Sequence, residues 1–343
     1  MELGIGMFGD NHYDTSGKPL PADDRLRELI EEIKLMDEVG VEFFGIGEHH
    51  RPDYAVSVPE IILAAAATVT KNIRLGSAVT VLSSSDPVRI YQSFATIDQL
   101  SHGRAELMAG RGSFIESFPL YGYSLNDYDA LFEEKLDLLL QIDKQPRITW
   151  KGKYRAPLQD QEVLPRPVNE HLDVWLALGG TPQSVVRAGK AGLPVIFAII
   201  GGNPVQFQPL FNYYKELYQS FNHDMSRFRV GVHMHCFFGE NSAQTVNDYY
   251  PVYAAQMNRV GQSRGWPPFQ RSQFEYGRGK EGALLIGDAN EAVDKILHMH
   301  ELFGLTRFSA HMDVGGPSHA SLMKSIEIFG TRIAPDVRAA LRK

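Results

Sequence analysis

Two adjacent histidines beside a carboxylate are the residues of this sequence best suited to acid–base chemistry. They form the segment Gly47-Glu48-His49-His50, which follows a short apolar run. An imidazole changes its charge near neutral pH, and a neighbouring carboxylate can assist proton transfer. One of the two rings could instead serve only as a hydrogen-bonding cap, and the spacing does not separate them. The segment predicts an acid–base site that uses His49, His50 or both.

A glycine-rich turn near the middle of the chain is suited to binding a phosphate. Gly179 and Gly180 follow an apolar run that ends at Leu178, and Thr181 then opens a helical pattern that contains Ser184. The first turn of a helix has unpaired N–H groups and the positive end of the helix dipole, and the glycines let a ligand approach the backbone. An ordinary loop in which Thr181 caps the helix would have the same sequence, so phosphate binding is one of two interpretations.

Two further segments suit a ligand site. Gly110-Arg111-Gly112 ends an apolar run, and a guanidinium between two glycines can reach a phosphate or carboxylate, or form only a surface ion pair. Leu75-Gly76-Ser77-Ala78-Val79 is rich in small residues. Such residues let a flat ligand lie against the backbone, although they are equally typical of tight core packing.

His233 and His235 are separated by one residue, so in a strand both imidazoles lie on the same side. Paired histidines of this kind bind metal ions in some barrel hydrolases. The companions that a metal site needs are limited to the Glu48 segment, His311 and Asp313. We therefore predict no metal site, and a metal-dependent hydrolase stays open as an alternative.

The composition excludes several classes of protein. The 343 residues carry a formal net charge of -7, and no cluster of Lys or Arg offers a surface for nucleic acid. The hydrophobic fraction of 43% is typical of a globular protein, and no apolar run is long enough to cross a bilayer. The start of the chain lacks a signal-peptide pattern, and the single cysteine, Cys236, cannot form an internal disulfide. We expect a cytoplasmic protein with no nucleic-acid or membrane partner, and with Cys236 buried in the core.

Strand-like and helix-like segments alternate along the chain and must position these groups. Continuous apolar runs predict eight strands, at residues 3–8, 41–46, 73–81, 104–109, 174–178, 195–200, 228–238 and 306–314. Amphipathic patterns predict helices near 24–39, 59–70, 87–100, 127–142, 183–191, 204–221, 242–259, 289–303 and 318–340. This alternation is typical of a (β/α)8 TIM barrel, in which the carboxyl ends of the strands face the active site. A doubly wound sheet is the alternative, but no strand precedes a Gly-x-Gly-x-x-Gly dinucleotide fingerprint.

Three connections are longer than a simple barrel needs, at residues 111–126, 143–173 and 260–287. In the second, Ile148-Thr149-Trp150 and Tyr154 flank Gly152 and predict a small hairpin. Long connections within a compact domain are often functional, and we interpret residues 261–287 as a lid. No linker divides the chain, so we predict one domain with loop insertions over residues 1–343.

Taken together, these motifs resemble those of the bacterial luciferase-like flavin monooxygenase family. The similarity extends over essentially the whole chain, and the order and spacing of the motifs carry it more than any single motif. The motifs are Gly47-Glu48-His49-His50, Leu75-Gly76-Ser77-Ala78-Val79, Asp86-Pro87-Val88-Arg89, Leu100-Ser101-His102-Gly103-Arg104, Gly110-Arg111-Gly112, Gly179 to Ser184, Gly315-Gly316 and Leu322 to Phe329. The resemblance implies a (β/α)8 barrel that binds FMN at its carboxyl-terminal mouth, commonly as a homodimer.

The resemblance also implies roles for particular residues. The implied FMN-binding residues are Ala78, Val79, Arg111, Leu178, Gly179, Gly180, Thr181 and Ser184. Among them, Thr181 and Ser184 match the phosphate-binding turn, and Arg111 matches an arginine that reaches the same phosphate. The Ala78–Val79 peptide bond matches one that is cis beneath the flavin ring. His49 matches the catalytic imidazole beside the reactive edge of the flavin.

Two positions depart from the family pattern. Gly110 stands where some relatives have a reactive cysteine, so we expect no chemistry that depends on that thiol. Asp129 stands where the resemblance leads us to expect a second phosphate-binding arginine. The lost positive charge predicts a loosely held FMN that moves between proteins.

The leading hypothesis is a two-component FMN-dependent monooxygenase. It would take reduced FMN from a separate flavin reductase and use O2 to oxygenate a small organic substrate. The missing dinucleotide fingerprint fits this hypothesis, in which the electrons come from another protein. A deazaflavin-dependent dehydrogenase and a non-catalytic flavin-binding protein are alternatives on the same barrel.

Overall fold

Eight parallel strands close into a barrel in the computed structural model, which describes residues 1–14 and 16–342. With those outside the ring included, the described residues form twelve strands: β1 (Glu2–Met7), β2 (Phe43–Ile46), β3 (Arg74–Ser77), β4 (Thr80–Val81), β5 (Ala105–Gly110), β6 (Arg147–Trp150), β7 (Leu158–Glu162), β8 (Asp173–Leu178), β9 (Val195–Ala198), β10 (Val230–Phe238), β11 (Leu285–Gly287) and β12 (Arg307–His311). The barrel order is β1-β2-β3-β5-β8-β9-β10-β12, and β12 pairs with β1 to close the ring. The predicted (β/α)8 barrel is confirmed, and the doubly wound sheet is excluded.

Helices cover the outside of the ring. They are α1 (Ala22–Glu38), α2 (Pro59–Ala67), α3 (Pro87–Ser101), α4 (Ser117–Leu120), α5 (Tyr128–Lys144), α6 (Pro182–Ala191), α7 (Gln208–Ser220), α8 (Ser242–Arg264), α9 (Arg271–Arg278), α10 (Ala289–Phe303), α11 (His319–Ile328) and α12 (Ala334–Leu341). A π-helical segment at Phe329–Ile333 separates α11 from α12, where the sequence predicted one helix over 318–340. Within the described residues, no helix combines the length and the apolar character that crossing a membrane requires.

The strand predicted over residues 73–81 is interrupted. β3 ends at Ser77 and β4 begins at Thr80, and the Ala78–Val79 peptide bond between them is cis. β3 pairs with both β2 and β5, whereas β4 pairs with β5. The interruption lies at the carboxyl end of the barrel, so backbone of irregular geometry is exposed to the barrel mouth.

The long connections contain regular structure of their own. β6 and β7 pair in antiparallel fashion, which confirms the predicted hairpin. The connection at 111–126 contains α4, and the one at 260–287 contains the end of α8, all of α9 and β11. β11 adds to β10 outside the ring.

A buried ion pair fills the amino-terminal end of the barrel. The Arg307 guanidinium donates to the Glu106 carboxylate at 2.5 and 2.7 Å. It also lies over the rings of Phe43 and Trp175, at 4.3 and 3.8 Å from their centroids. Because these groups occupy the interior of the ring at this end, a ligand inside the ring would lie at the opposite end, where the predicted site residues are.

Candidate active site

Two adjoining cavities lie at the carboxyl ends of the barrel strands. The smaller has a volume of about 220 Å³, and the larger has a volume of about 760 Å³. Both are lined by Phe8, Ser113, Phe114, Ala198 and His233, which therefore form the boundary between them. Two ligands can lie side by side in such an arrangement.

The smaller cavity collects most of the residues that the sequence marked for cofactor binding. Its walls include His49, Ala78, Val79, Arg111, Leu178 and Gly179. Gly180, Thr181 and Ser184 continue from Gly179 into the first turn of α6, beyond the cavity wall. The predicted residues thus lie in one region, although their roles in binding a cofactor stay predictions.

Glu48 fixes the backbone around the cis Ala78–Val79 bond. Its N–H donates to the Val79 carbonyl at 3.1 Å, and its carboxylate accepts from the Val81 N–H at 2.7 Å. The other carboxylate oxygen pairs with Nε2 of His50 at 2.9 Å. The Glu48 carboxylate, which the sequence marked for acid–base chemistry, therefore holds this backbone with one oxygen and pairs with His50 through the other. The two adjacent histidines thus differ in their surroundings, because His49 lines the smaller cavity and His50 pairs with Glu48.

Gly110 lets β5 approach the cis segment closely. A Cβ atom placed on Gly110 would lie 2.6–3.0 Å from three side-chain carbon atoms of Val79. A cysteine at this position would force Val79 to move together with the peptide bond that it carries. The glycine is therefore required by the packing of Val79.

His49 is a buried imidazole with aromatic neighbours. Its ring centroid lies 4.1 Å from that of Tyr54, 4.4 Å from that of Phe8 and 5.1 Å from that of Phe114. Burial, together with the nearby His311, lowers the pKa of His49 to about 3, so the ring is neutral at physiological pH. Its Nδ1 atom is buried and has no hydrogen-bond partner among the described residues. A neutral ring with an unused nitrogen can exchange a proton or a hydrogen bond with a ligand.

The turn after β8 has a conformation that its glycines allow. Gly180 has a φ of +100°, which side chains rarely adopt, and a Cβ atom on Gly179 would meet no atom of the described residues within 4 Å. Thr181 is the N-cap of α6, and the Ser184 hydroxyl donates to the Thr181 carbonyl at 2.7 Å. The open space over Gly179 and the amino end of α6 together suit an anionic group.

Arg111 lies at the edge of the smaller cavity and pairs with the start of α5. Its Nη1 atom is 2.7 Å from Oδ1 of Asp129, and its guanidinium lies 5.3 Å from the ring centroid of Tyr128. Asp129 also approaches Arg187 of α6, at 3.7 Å. Sequence reasoning missed Arg187, although its position three residues after Ser184 places both on one face of the helix.

The larger cavity is mostly apolar and contains a small set of buried polar groups. They are Asp10, Tyr54, His233, His235, Tyr253, Gln256 and His311. Nδ1 of His233 contacts the Ser309 hydroxyl at 3.1 Å, and Nδ1 of His235 contacts the Tyr253 hydroxyl at 2.9 Å. Burial lowers the pKa of His233 and of His235 well below the usual value, so both rings are neutral. Nε2 of His233 has no partner in the described part of the chain, and His233 lines both cavities.

The segment predicted to be a lid forms one wall of the larger cavity. Its contributors include Trp266, Phe269, Tyr276 and Leu284. Trp266 and Tyr276 are more than half exposed, so large apolar side chains border the cavity on the solvent side. Closure of this segment over a ligand stays a prediction.

Asp313, two residues after β12, connects the last strand to the first. Its carboxylate accepts hydrogen bonds from the N–H groups of residues 8–10 at 2.8–3.1 Å and lies 3.1 Å from Nε2 of His311. The buried Arg25 guanidinium approaches it at 3.4 Å. Burial alone would raise the pKa of Asp313, but the hydrogen bond from His311 and the charge of Arg25 hold that pKa below its usual value. Sequence reasoning noted Asp313 only as a possible metal companion.

Asp10 lies beside Asp313, and its pKa is shifted in the opposite direction. Burial and the charge of Asp313 raise the pKa of Asp10 well above its usual value. These two carboxylates and His311 place donor atoms within 4.8 Å of one another, a spacing that a metal ion could use. Because N–H donors already occupy both oxygens of Asp313 and Arg25 lies beside them, we assign no metal ligand here.

Three of the buried histidines predict a loss of stability in mild acid. His49, His233 and His235 stay neutral in the folded protein, whereas an unfolded histidine takes up a proton near pH 6.5. Below that pH the unfolded chain binds more protons, so the free energy of unfolding falls as the pH falls, by up to about 1.4 kcal/mol per pH unit for each histidine. Above that pH the three rings contribute no pH dependence. Urea unfolding on both sides of pH 6.5 measures the slope.

Replacing one histidine measures how much its ring contributes to the pH dependence of the free energy of unfolding. His235→Gln keeps a hydrogen-bonding group near Tyr253 and removes one titrating site, so we expect a slope smaller by up to about 1.4 kcal/mol per pH unit. His171→Gln is the control, because this side chain is 59% exposed. Equal slopes in the wild type and in His235→Gln would contradict the prediction.

The sequence matches a known family along most of its length. The model of the luciferase-like monooxygenase family matches residues 1–306, so the chain belongs to that family. Limonene 1,2-monooxygenase of Rhodococcus erythropolis is 24% identical over 321 residues, which are 90% of this chain and 81% of the relative. The family that the sequence motifs indicated is therefore confirmed.

Solved structures share the fold at low sequence identity. Monooxygenase RslO1 from Streptomyces bottropensis has a TM-score of 0.85 at 20% identity, covering 98% of this chain and 99% of that chain. The oxygenating constituent of 3,6-diketocamphane monooxygenase from Pseudomonas putida, in complex with FMN, has a TM-score of 0.77 at 18% identity, covering 98% and 99%. The coenzyme F420-dependent tetrahydromethanopterin reductase from Methanopyrus kandleri has a TM-score of 0.74 at 19% identity, covering 98% and 99%. The fold alone therefore does not distinguish FMN from F420.

The residues of the smaller cavity fit a flavin. His49 and His233, which line it, each carry a buried ring nitrogen without a partner in residues 1–14 and 16–342, and these atoms suit the polar edge of a flavin ring. The space over Gly179 and the guanidinium of Arg111 suit a negatively charged tail. Apolar and small side chains, including Ala78 and Val79, provide a surface for a flat ring.

Proposed function

We propose that this protein is an FMN-dependent monooxygenase of the two-component type. Reduced FMN would come from a separate flavin reductase, and O2 would supply one oxygen atom to a small organic substrate and the other to water. The observation that carries the proposal is the pair of adjoining cavities: one is lined by the predicted flavin contacts, and the other is large and mostly apolar. His233 and Phe8 border both of them.

The cavity residues suit a reaction that must exclude water. When bound, reduced flavin supplies the electrons that activate O2. Phe8, Tyr54 and Phe114 surround His49 and keep solvent from its ring. His49, neutral at physiological pH, would hold a hydrogen bond at its unpartnered Nδ1 atom and take up a proton there as negative charge develops beside it during oxygen transfer.

The larger cavity suggests the general character of the substrate. His233 and His235 are neutral, and Asp10 favours its protonated form, so these three buried groups offer hydrogen bonds without a charge. A mostly apolar molecule with one or two polar groups would fit this lining. A substrate of this class would contact His233 at the boundary, close to the smaller cavity.

The remaining partners belong to the same proposal. The family resemblance supports a homodimer, and the single, buried Cys236 fits a cytoplasmic location. The reductase would interact only transiently, because it delivers a diffusing cofactor.

The choice of cofactor is tested by following the fate of O2. Reduced FMN and reduced F420 are supplied in parallel, with isotopically labelled O2 and a panel of apolar substrates. We expect labelled product with FMN and none with F420, because FMN and O2 together supply the oxidant. The measurement is mass spectrometry of the products, with a protein-free reaction as the control.

The alternatives give different results in the same experiment. Substrate turnover with the F420 couple and no labelled oxygen in the product would identify a dehydrogenase. Flavin binding without turnover across the panel would favour a non-catalytic flavin-binding protein.

A further inference from the structure

We propose that Arg187 is a second phosphate-binding group and that Asp129 weakens the phosphate site by holding both of its arginines. The inference rests on the proposed function, because the phosphate in question is the one carried by FMN. It concerns how tightly the tail of the cofactor is held and which tails the protein accepts.

Arg111 and Arg187 share one carboxylate oxygen. Nη1 of Arg111 lies 2.7 Å from Oδ1 of Asp129, and Nη2 of Arg187 lies 3.7 Å from the same atom. Nη2 of Arg187 also lies 2.7 Å from Oε1 of Glu133, one helical turn further along α5. Two positive and two negative side chains therefore balance one another between the end of β5, α5 and α6.

The arginines are held in place, whereas the carboxylates are exposed to water. The side chains of Arg111 and Arg187 are 22% and 13% exposed, but those of Asp129 and Glu133 are 64% and 61% exposed. Each guanidinium lies 5.3 Å from the centroid of an aromatic ring of α5, and for Arg187 this ring is Phe132. Exposed ion pairs contribute only about 0–1 kcal/mol, so an incoming phosphate can displace the carboxylates.

Arg187 lies on the same helix as the phosphate turn. It follows Ser184 by three residues, so both side chains start from one face of α6. Its Nε atom is buried and has no partner within the described ranges of the chain. An N–H donor in this position is available to an anion near the amino end of α6.

The charges of these four side chains predict how tightly FMN binds and that the site prefers FMN to riboflavin. A phosphate monoester carries up to two negative charges and can engage two guanidiniums, whereas riboflavin has no phosphate and gains nothing from them. Asp129 and Glu133 oppose the same phosphate. Because these carboxylates weaken the binding of the phosphate, we expect FMN to bind reversibly. A cofactor that another protein delivers must bind in this way.

The test compares FMN with riboflavin in one set of variants. Dissociation constants are measured by quenching of flavin fluorescence for the wild type, Arg187→Gln, Asp129→Asn and the control Asp137→Asn. We expect Arg187→Gln to weaken FMN by about 10-fold or more and to leave riboflavin within about 2-fold. Asp129→Asn should tighten FMN by about 3- to 10-fold at low salt, with a smaller effect at high salt. Asp137→Asn removes the same charge from the same helix and should change neither ligand.

Each other outcome contradicts a stated part of the proposal. Unchanged FMN affinity in Arg187→Gln, with riboflavin still bound, would overturn the role of Arg187 and leave the proposed function intact. Equal loss of both flavins in Arg187→Gln would make Arg187 a structural residue and would also overturn its proposed role. Weaker FMN binding in Asp129→Asn would overturn the inhibitory role of Asp129. Failure of the wild type to bind either flavin would instead remove the proposed function itself.

Discussion

Replacing His49 with alanine should lower the rate of product formation by about 10²- to 10⁴-fold, the range that a positioned acid–base group contributes. The ring lies in the wall of the smaller cavity, and its Nδ1 atom has no other hydrogen-bonding role in the described structure. Affinity for FMN should change much less, by no more than about 10-fold, because Arg111 and the turn at 179–184 remain. The measurements are turnover of a substrate found in the labelled-oxygen experiment and flavin fluorescence for binding.

Two variants separate chemistry from packing at this position. His49→Asn keeps a hydrogen-bonding group but cannot titrate, so it should recover little turnover if proton transfer is the role of the ring. His171→Ala is the control, because His171 is 59% exposed and pairs with Asp143. Undiminished turnover in a folded, flavin-binding His49→Ala protein would remove the residue from the mechanism.

Replacing Asp313 with alanine should lower the free energy of unfolding by about 3–5 kcal/mol. The change deprives the buried Arg25 of a partner and leaves the N–H groups of residues 8–10 without their acceptor. It also frees the loop after β1, where Phe8 borders both cavities. Urea unfolding at neutral pH measures the loss.

A surface aspartate provides the matched comparison. Asp86 also accepts backbone hydrogen bonds, from Val88 and Arg89 at the start of α3, but it is partly exposed. Asp86→Ala should lower the free energy of unfolding by about 1 kcal/mol, as the loss of a helix cap does. If Asp313→Ala destabilises no more than Asp86→Ala, the proposed role of Asp313 in connecting the last strand of the barrel to the first is wrong.

The barrel and the turn that follows β8 were predictable because local patterns determine them. Continuous apolar runs indicate strands that are covered on both sides, and the Gly179-Gly180-Thr181 sequence indicates a turn between a strand and the start of a helix. The grouping of His49, Arg111 and Gly179 was predictable as well, because the carboxyl ends of all barrel strands meet at one mouth.

Other features depend on contacts between distant segments and leave no local pattern. Asp313 accepts N–H groups about 300 positions earlier in the chain, and no spacing rule connects them. The break between β3 and β4 lies where Val79 packs against the distant Gly110, and the local apolar pattern over 73–81 predicted one strand. Arg187 could be placed on a helix from the sequence, but its approach to Asp129 depends on how α6 packs beside α5.

The central claim is that FMN binds in the smaller cavity, and a structure from crystals soaked with FMN tests it most directly. We expect density for the flavin ring in the smaller cavity, against Ala78 and Val79 and near His49, with the phosphate at the turn of residues 179–184 and close to Arg111. Density for FMN in another part of the molecule, or no bound FMN at concentrations that saturate flavin fluorescence quenching, would contradict the claim.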